Sequence, residues 1–257
     1  MTPLRLLRPV RLLGSLMMVA GLCSLLWAVV VWRWQDPFTL LYTKYEQHEL
    51  AARYEKRLAT YRPPVVRRQP VKQTGSVKPA ATPKPKPAPQ RSVIALDALR
   101  YRQTIRTGDP LGRIKVPRLG LDALLVTGTD HDSLTKGPGW DQRTYLPGQG
   151  QLIYIAGHRT TYSAPFAHIE ALRPGDVITI EVPYATFTYE VRWHRIVPSD
   201  DLSVLRSHGH ELLILQACHP RFFATHRYLA YAVPISVEPR VGKPYTVGRR
   251  LLAAAAA

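Results

Sequence analysis

Cysteine is scarce in this sequence: its 257 residues include only two, Cys23 and Cys218. So few cysteines exclude a disulfide framework and a cysteine-rich zinc module. Acidic residues are also few, 18 against 35 Lys and Arg, which gives a net charge of +17. Such an excess is typical of nucleic-acid-binding proteins when it covers a folded surface, so its location decides its meaning.

The excess charge lies outside the region with the most strand-like sequence. Between Arg106 and Glu238 there are 13 basic and 13 acidic residues, so this part is neutral. The other 22 basic (35 − 13) and 5 acidic (18 − 13) residues lie in the flanks. We therefore expect no DNA- or RNA-binding domain. Hydrophobic residues make up 46% of the chain, which excludes wholesale disorder.

Residues 12–32 form a run of 21 residues without a charge. As a helix this run is about 30 Å long, the thickness of a hydrocarbon core. Arg5, Arg8 and Arg11 precede it, which predicts a single-pass membrane helix with a cytoplasmic N-terminus and an extracellular remainder facing the cell wall. The alternative is a cleaved signal peptide, but its apolar region is normally about 7–15 residues long and ends at a small-residue site.

Two further segments separate this helix from the rest. Residues 33–62 are charged and helical in pattern, with a partial apolar stripe that indicates either a stalk or a coiled-coil contact; we favour the stalk. Residues 63–91 hold eight prolines, seven basic residues and no acid, a composition typical of an extended coil. This coil is either a tether that holds a domain away from the membrane or merely a solvated linker.

The expected organisation has six parts. These are a basic cytoplasmic N-terminus (1–11), a transmembrane helix (12–32), a helical stalk (33–62), a Pro/Lys-rich linker (63–104), a β-barrel (105–238) and a C-terminal tail (239–257).

The region after residue 105 is mainly β in pattern. Seven or eight short apolar or alternating runs are separated by Gly, Pro and Asp turns, which predicts a closed or nearly closed antiparallel barrel. The stretch SAPFAHIEAL predicts one short helix, with Ser163 as its N-cap.

Three chemically active residues stand at strand ends. His158 follows the strand LIYIAG, Cys218 ends LLILQA, and Arg227 opens YLAYAV. A thiolate is a nucleophile, an imidazole transfers protons, and a guanidinium stabilises an oxyanion, so the three together suit acyl transfer. On spacing alone, an inert buried cysteine remains an open alternative.

The local sequences around these residues are more specific. AGHRTTYSAPF around His158 and CHPRFFATHR from Cys218 to Arg227 resemble the sortase family, in particular class E sortases of actinobacteria. The resemblance covers about Asp109 to Val237. It implies an eight-stranded sortase-type β-barrel in a membrane-anchored cysteine transpeptidase, with Cys218 as nucleophile, His158 as general acid/base and Arg227 stabilising the oxyanion and substrate.

One feature departs from the family pattern, which has threonines four residues and one residue before the cysteine. Ile214 and Ala217 occupy those positions here. Because the threonines are expected to shape the substrate groove, their replacement puts substrate preference and rate in question.

The resemblance also implies the partners. The substrate is expected to be a secreted protein with a C-terminal LAxTG- or LPxTG-type sorting signal, cleaved between Thr and Gly through a thioester. An amine of a lipid-linked peptidoglycan precursor is expected to resolve the thioester, and no cofactor is expected. Two alternatives stay open: a sortase-like peptide-binding module with little turnover, and a membrane-anchored thiol hydrolase.

Other residues near the motifs are less suited to act as the stabilising cation or as metal ligands. Arg221 is the alternative to Arg227 as the stabilising cation, and Arg159 flanks His158. No metal is expected, because the spacings of the candidate zinc ligands are too tight and short acidic pairs are usually solvated turns. The residues concerned are His208, His210, His219 and His226 beside Cys218 for zinc, and Asp130, Asp132, Asp200 and Asp201 for calcium.

Overall fold

The computed structural model describes residues 4–34, 37–63 and 90–247. Four α-helices lie in these ranges: α1 (Leu4–Trp34), α2 (Pro37–Thr60), α3 (Gln90–Thr104) and α4 (His131–Lys136). The same ranges contain nine strands: β1 (Pro110–Val116), β2 (Leu121–Thr127), β3 (Gly139–Trp140), β4 (Leu152–Ala156), β5 (Val177–Val182), β6 (Ala185–Pro198), β7 (Leu212–His219), β8 (His226–Pro239) and β9 (Tyr245–Thr246).

Eight strands close into a barrel, as the sequence predicted. The order is β6-β5-β1-β2-β3-β4-β7-β8, and pairing of β6 with β8 completes the ring. The short β9 adds to β8 from within the expected C-terminal tail. The expectation of a wholly antiparallel barrel was wrong, because β2 pairs with β3, and β4 with β7, in parallel. Strand direction depends on connections that hydrophobic patterning does not reveal.

The barrel is buried on the inside and, over part of its wall, on the outside too. Along β7, Leu213, Leu215 and Ala217 point into the central core, while Leu212 and Ile214 join a second apolar cluster on the outer face. This follows from the two-residue repeat of a strand. The same outer cluster covers β4 and β8, which explains why these strands are apolar at nearly every position.

Helix α3 belongs to the barrel rather than to a linker. Its Ile94, Ala98 and Tyr101 are fully buried in the central core, at the i, i+4, i+7 spacing of one helical face. The Tyr101 hydroxyl donates to the carbonyl of Leu111 at 2.7 Å. The expected linker of residues 63–104 therefore ends before this helix, and residues 64–89 lie outside the described ranges.

Helix α2, in the segment expected to be a stalk, is docked on the barrel. Leu50 and Tyr54 pack against Leu124 and Val126 of β2. The side chain of Gln47 donates to the carbonyls of Leu124 and Lys136 and accepts from the backbone amide of Leu124. The apolar residues in the second half of this helix, Leu50 and Tyr54, thus form a barrel contact.

The helix expected from Ser163 is absent; turns and a short 3-10 helix (Ile169–Ala171) occupy that stretch. Its fully buried residues, Phe166, Ile169 and Leu172, are three apart, which suits a 3-10 turn better than an α-helix. Conversely, α4 lies in TDHDSLTKGPGW, a stretch rich in turn-forming residues, with Asp130 as its N-cap accepting from the amide of Ser133.

Candidate active site

The three residues singled out in the sequence line one cavity of about 260 Å³. Cys218 and Arg227 are directly opposite each other on the antiparallel strands β7 and β8. Parallel pairing of Ala156 with Gln216 places His158, two residues past the end of β4, at the level of Cys218. The register of three strands thus brings together residues 60 and 9 positions apart in the chain.

The cavity lies against the outer face of the barrel wall, near one end. Tyr154 and Ala156 of β4 and Gln216 of β7 form its floor, on the same strand faces as the outer apolar cluster. Leu134 of α4 closes one side, and Val204 and Leu205 of the short 3-10 helix Leu202–Leu205 close another. The site is therefore a groove on the barrel surface with an apolar bed, which suits an extended peptide.

Cys218 is half-buried, and its thiol is free. Its backbone carbonyl accepts from Arg159 at 3.1 Å, and the same guanidinium contacts Nδ1 of His219 at 3.1 Å and pairs with Glu170 at 2.8 Å. Arg159 is buried and does not line the cavity. Arg159 therefore stabilises the end of β7 from outside the cavity, a role that the sequence did not predict.

His158 lies in surroundings that favour the neutral form of its imidazole. Burial, and secondarily the charge of His131, lower its pKa from the ordinary value of 6.5. Its ring lies 5.0 Å from that of Tyr162, and its Nε2 atom is enclosed with no hydrogen-bond partner among the described residues. An enclosed ring nitrogen without a partner is available for proton transfer to a bound substrate.

The structure favours Arg227 over Arg221 as the cation of the site. Arg227 lines the cavity, and its Nη1 donates to the carbonyls of Ala224 and His226 at 2.8 and 3.0 Å, which fixes the guanidinium at the cavity edge. Arg221 does not line the cavity.

The two positions where the family has threonine do not line the cavity. Ile214 is 1% exposed in the outer apolar cluster, and Ala217 is fully buried in the central core. The side chain that β7 presents to the cavity beside Cys218 is Gln216, which is 8% exposed. Its amide makes no hydrogen bond within the described ranges, so it is available to a ligand. Gln216 carries no motif signal in the sequence, and its position on the cavity face follows only from the strand register.

An ion pair between Asp141 and Arg143, which the sequence did not indicate, also lines the cavity. Asp141 is buried and accepts from the backbone and guanidinium of Arg143, with N–O distances of 2.6 to 3.0 Å. Burial alone would raise the pKa of Asp141, but the hydrogen bonds and charge of Arg143 outweigh it and lower the pKa. The Arg143 side chain is 61% exposed, so it offers a cation at the groove's rim.

Four of the residues considered as metal ligands make local structural contacts. Asp130 caps α4, and Asp201 accepts from the amide of Ser203 at the start of a 3-10 helix. His219 and His226 are cross-strand partners at the end of β7. Within the described ranges there is no group of three or more His, Cys, Asp or Glu side chains placed to hold a metal ion.

Comparison with known proteins agrees with this geometry. Residues 114–235 match the family model of the sortase domain. Sortase D of Bacillus subtilis is 35% identical over 129 residues, 49% of this chain and 64% of that protein. Sortase SrtE1 of Streptomyces coelicolor is 32% identical over 100 residues, 35% of this chain and 28% of that protein. The predicted resemblance to sortases is confirmed, and the similar proteins include Sortase SrtE1 as well as Sortase D.

A solved structure supports the fold. A Clostridium perfringens Sortase D5 transpeptidase is similar with a TM-score of 0.55 at 19% identity, over 74% of this chain and 99% of that one. The alignments with the two relatives above span less than two thirds of the length of each.

Proposed function

We propose that the β-barrel of this chain is a sortase domain and that the chain is a membrane-anchored cysteine transpeptidase; the family-model match and the similarity to Sortase D support this. The substrate class is a secreted protein with an LAxTG- or LPxTG-type sorting signal. The acceptor is an amine of a lipid-linked peptidoglycan precursor. One observation carries the proposal: Cys218, His158 and Arg227 line the same groove on the barrel surface.

The first half-reaction forms an acyl-enzyme. The Cys218 sulfur attacks the carbonyl carbon of the Thr–Gly bond, and neutral His158 takes up the thiol proton. The guanidinium of Arg227 stabilises the negative charge that develops on the carbonyl oxygen. The C–N bond then breaks, and His158 returns the proton to the departing glycine amine, leaving a thioester on Cys218.

The second half-reaction resolves the thioester. The acceptor amine attacks the thioester carbonyl, His158 takes a proton from the attacking nitrogen, and the C–S bond breaks. The proton returns to the Cys218 sulfur, so the enzyme is regenerated and a new amide bond replaces the old one. The apolar bed of the groove favours this outcome over hydrolysis, because a bound peptide covering it excludes water from the thioester.

The membrane anchor is part of the proposal. Within α1, Arg11–Val30 is long and apolar enough to cross a bilayer, and the side chains described there are almost all exposed. The basic residues before it favour a cytoplasmic N-terminus and an extracellular barrel. The domain boundaries outside the described helices and barrel remain expectations.

A ligation assay tests the function. The full chain in detergent is incubated with LAxTG and LPxTG peptides, with and without an amine acceptor, beside the Cys218→Ala variant. Transpeptidation gives a ligated product that requires the amine and is lost in Cys218→Ala. Cleavage at the same rate with and without amine indicates a thiol hydrolase, and peptide retention without product indicates a binding module; either result contradicts the proposal.

A further inference from the structure

An apolar stripe runs along the exposed side of the first half of α2. Phe38, Leu41, Tyr42 and Tyr45 are all exposed, Phe38 and Leu41 at 72% and 70%. Their i, i+3, i+4, i+7 spacing makes one continuous helix face. The opposite face is on the barrel, where buried Thr43 donates to the carbonyl of Thr135 at 2.8 Å. Because the opposite side of α2 is bound to the barrel, the stripe faces away from the barrel.

The stripe lies at the active-site end of the molecule. The hydroxyl of Thr39 accepts from the backbone amide of Tyr162, and the Tyr42 ring meets that of Tyr162 at 6.4 Å. Tyr162 in turn contacts the ring of His158. From this end α2 descends along the barrel wall, so that Tyr54 reaches the carbonyl of Glu181 and Arg57 pairs with Asp109.

A second exposed aromatic patch lies at the same end. The loop between β7 and β8 begins two residues after Cys218, and its Phe222 and Phe223 are 57% and 78% exposed. Arg159, from the loop that carries His158 and Tyr162, contacts the carbonyl of Cys218. Both patches therefore lie at the end of the barrel that carries the loop after β4.

Chain length places this end close to the membrane. The candidate span ends at Val30, α1 continues to Trp34, and Thr39 follows five residues later. Four helical residues rise about 6 Å, and five residues of chain reach at most about 18 Å. Thr39, which bonds to the loop that carries His158, is thus within about 24 Å of the end of the span, whatever the angle between α1 and α2.

We propose that the active-site end of the barrel rests on the outer membrane leaflet, with the α2 stripe and the Phe222–Phe223 loop seated among lipid headgroups. This inference rests on the proposed membrane anchor and extends the proposed function. Exposed aromatic and aliphatic side chains on an amphipathic helix next to a membrane span favour the membrane interface, because their free energy is lower there than in water. The partner of this surface is the lipid itself.

The arrangement reverses the role expected for the Pro/Lys-rich segment. Because α2 is docked, the path from the membrane to the barrel is α1 to α2, and the segment of residues 64–89 only connects α2 to α3. The segment therefore does not set the distance between the active site and the bilayer. The groove then works next to the leaflet, where a lipid-linked amine is presented.

A fluorescence experiment on the full chain in phospholipid nanodiscs tests this placement without relying on activity. In a Cys23→Ala, Cys218→Ala background, a fluorophore is attached at Leu41→Cys, Phe223→Cys or Val241→Cys, one site at a time. Val241 is the matched control, because it is 67% exposed and lies beyond the opposite end of β8. About 40 Å of strand separates Arg227 from Pro239.

Headgroup-nitroxide lipids should remove most of the fluorescence at positions 41 and 223 and little at 241. Deleting residues 70–83 should leave this pattern unchanged. Equal quenching at all three positions, or quenching at 241 that changes with the deletion, would overturn the proposal. So would shielding of the Leu41 probe only when two copies share a disc, since the stripe would then be a dimer contact. These readouts stand apart from the ligation assay, so failure of either can be told from failure of the other.

Discussion

Restoring the family threonine at position 214 should weaken the protein without improving the enzyme. Ile214 is 1% exposed and packs in the outer apolar cluster, away from the cavity. Ile→Thr removes about two buried carbon groups at about 0.8 kcal/mol each. It also buries a hydroxyl without an assured partner, at about 1–3 kcal/mol. The free energy of unfolding should fall by about 3–4 kcal/mol in total.

The matched control is Ile196→Thr, the same chemical change on β6 where the side chain is 48% exposed. An exposed change of this kind should alter stability by no more than about 0.5 kcal/mol. Thermal unfolding by circular dichroism compares the two variants, and the difference corresponds to about 6–15 °C in Tm for a domain of this size. Ligation is then measured at a temperature where both variants are folded. A stable Ile214→Thr variant with raised kcat/KM would refute the reasoning, because position 214 would then communicate with the groove.

Three further predictions concern the groove. Arg227→Lys should lose most of its ligation activity because a point charge cannot replace the guanidinium fork, whereas Arg221→Lys should keep it; the reverse result would identify Arg221 as the active cation. The acid limb of kcat/KM should lie below pH 6.5, because burial and, secondarily, the charge of His131 lower the pKa of His158. His131→Ala removes the second cause and should move the limb upward; an unmoved or lowered limb would contradict this contribution of His131. Gln216→Leu should raise KM for the sorting peptide about 5- to 20-fold, the loss of one or two hydrogen bonds, with unchanged Tm; an unchanged KM would exclude a substrate contact.

The strands, the helices α1 and α2 and the grouping of three residues at one site could be predicted from the sequence, but α3, α4 and the docking of α2 could not. Two-residue alternation and short apolar runs are local signals, so β4, β7 and β8 were predictable. The docking of α2 was not, because an apolar stripe does not say whether its partner is another helix, lipid or a barrel wall. Helix α3 was obscured by its charged residues, since only Ile94, Ala98 and Tyr101 mark its buried face.

Within the site, what could be predicted was limited by strand register. The sequence placed His158, Cys218 and Arg227 at strand ends, but only the parallel pairing of β4 with β7 brings them to one level. Register also explains Gln216: its side chain lies on the same face of β7 as Cys218, two residues along, while Ala217 points into the core. For a strand that is buried on both faces, the surrounding packing determines which face borders a groove.

The most direct test of the central claim is intact-protein mass spectrometry of the full chain incubated with a sorting-signal peptide and no amine. We expect the mass to rise by that of the peptide's acyl portion, ending at Thr, with the adduct on Cys218. The adduct should disappear when an amine is added, and it should be absent from the His158→Ala variant. No adduct on Cys218 under conditions where the peptide is cleaved, or an adduct of equal yield in His158→Ala, would contradict the account.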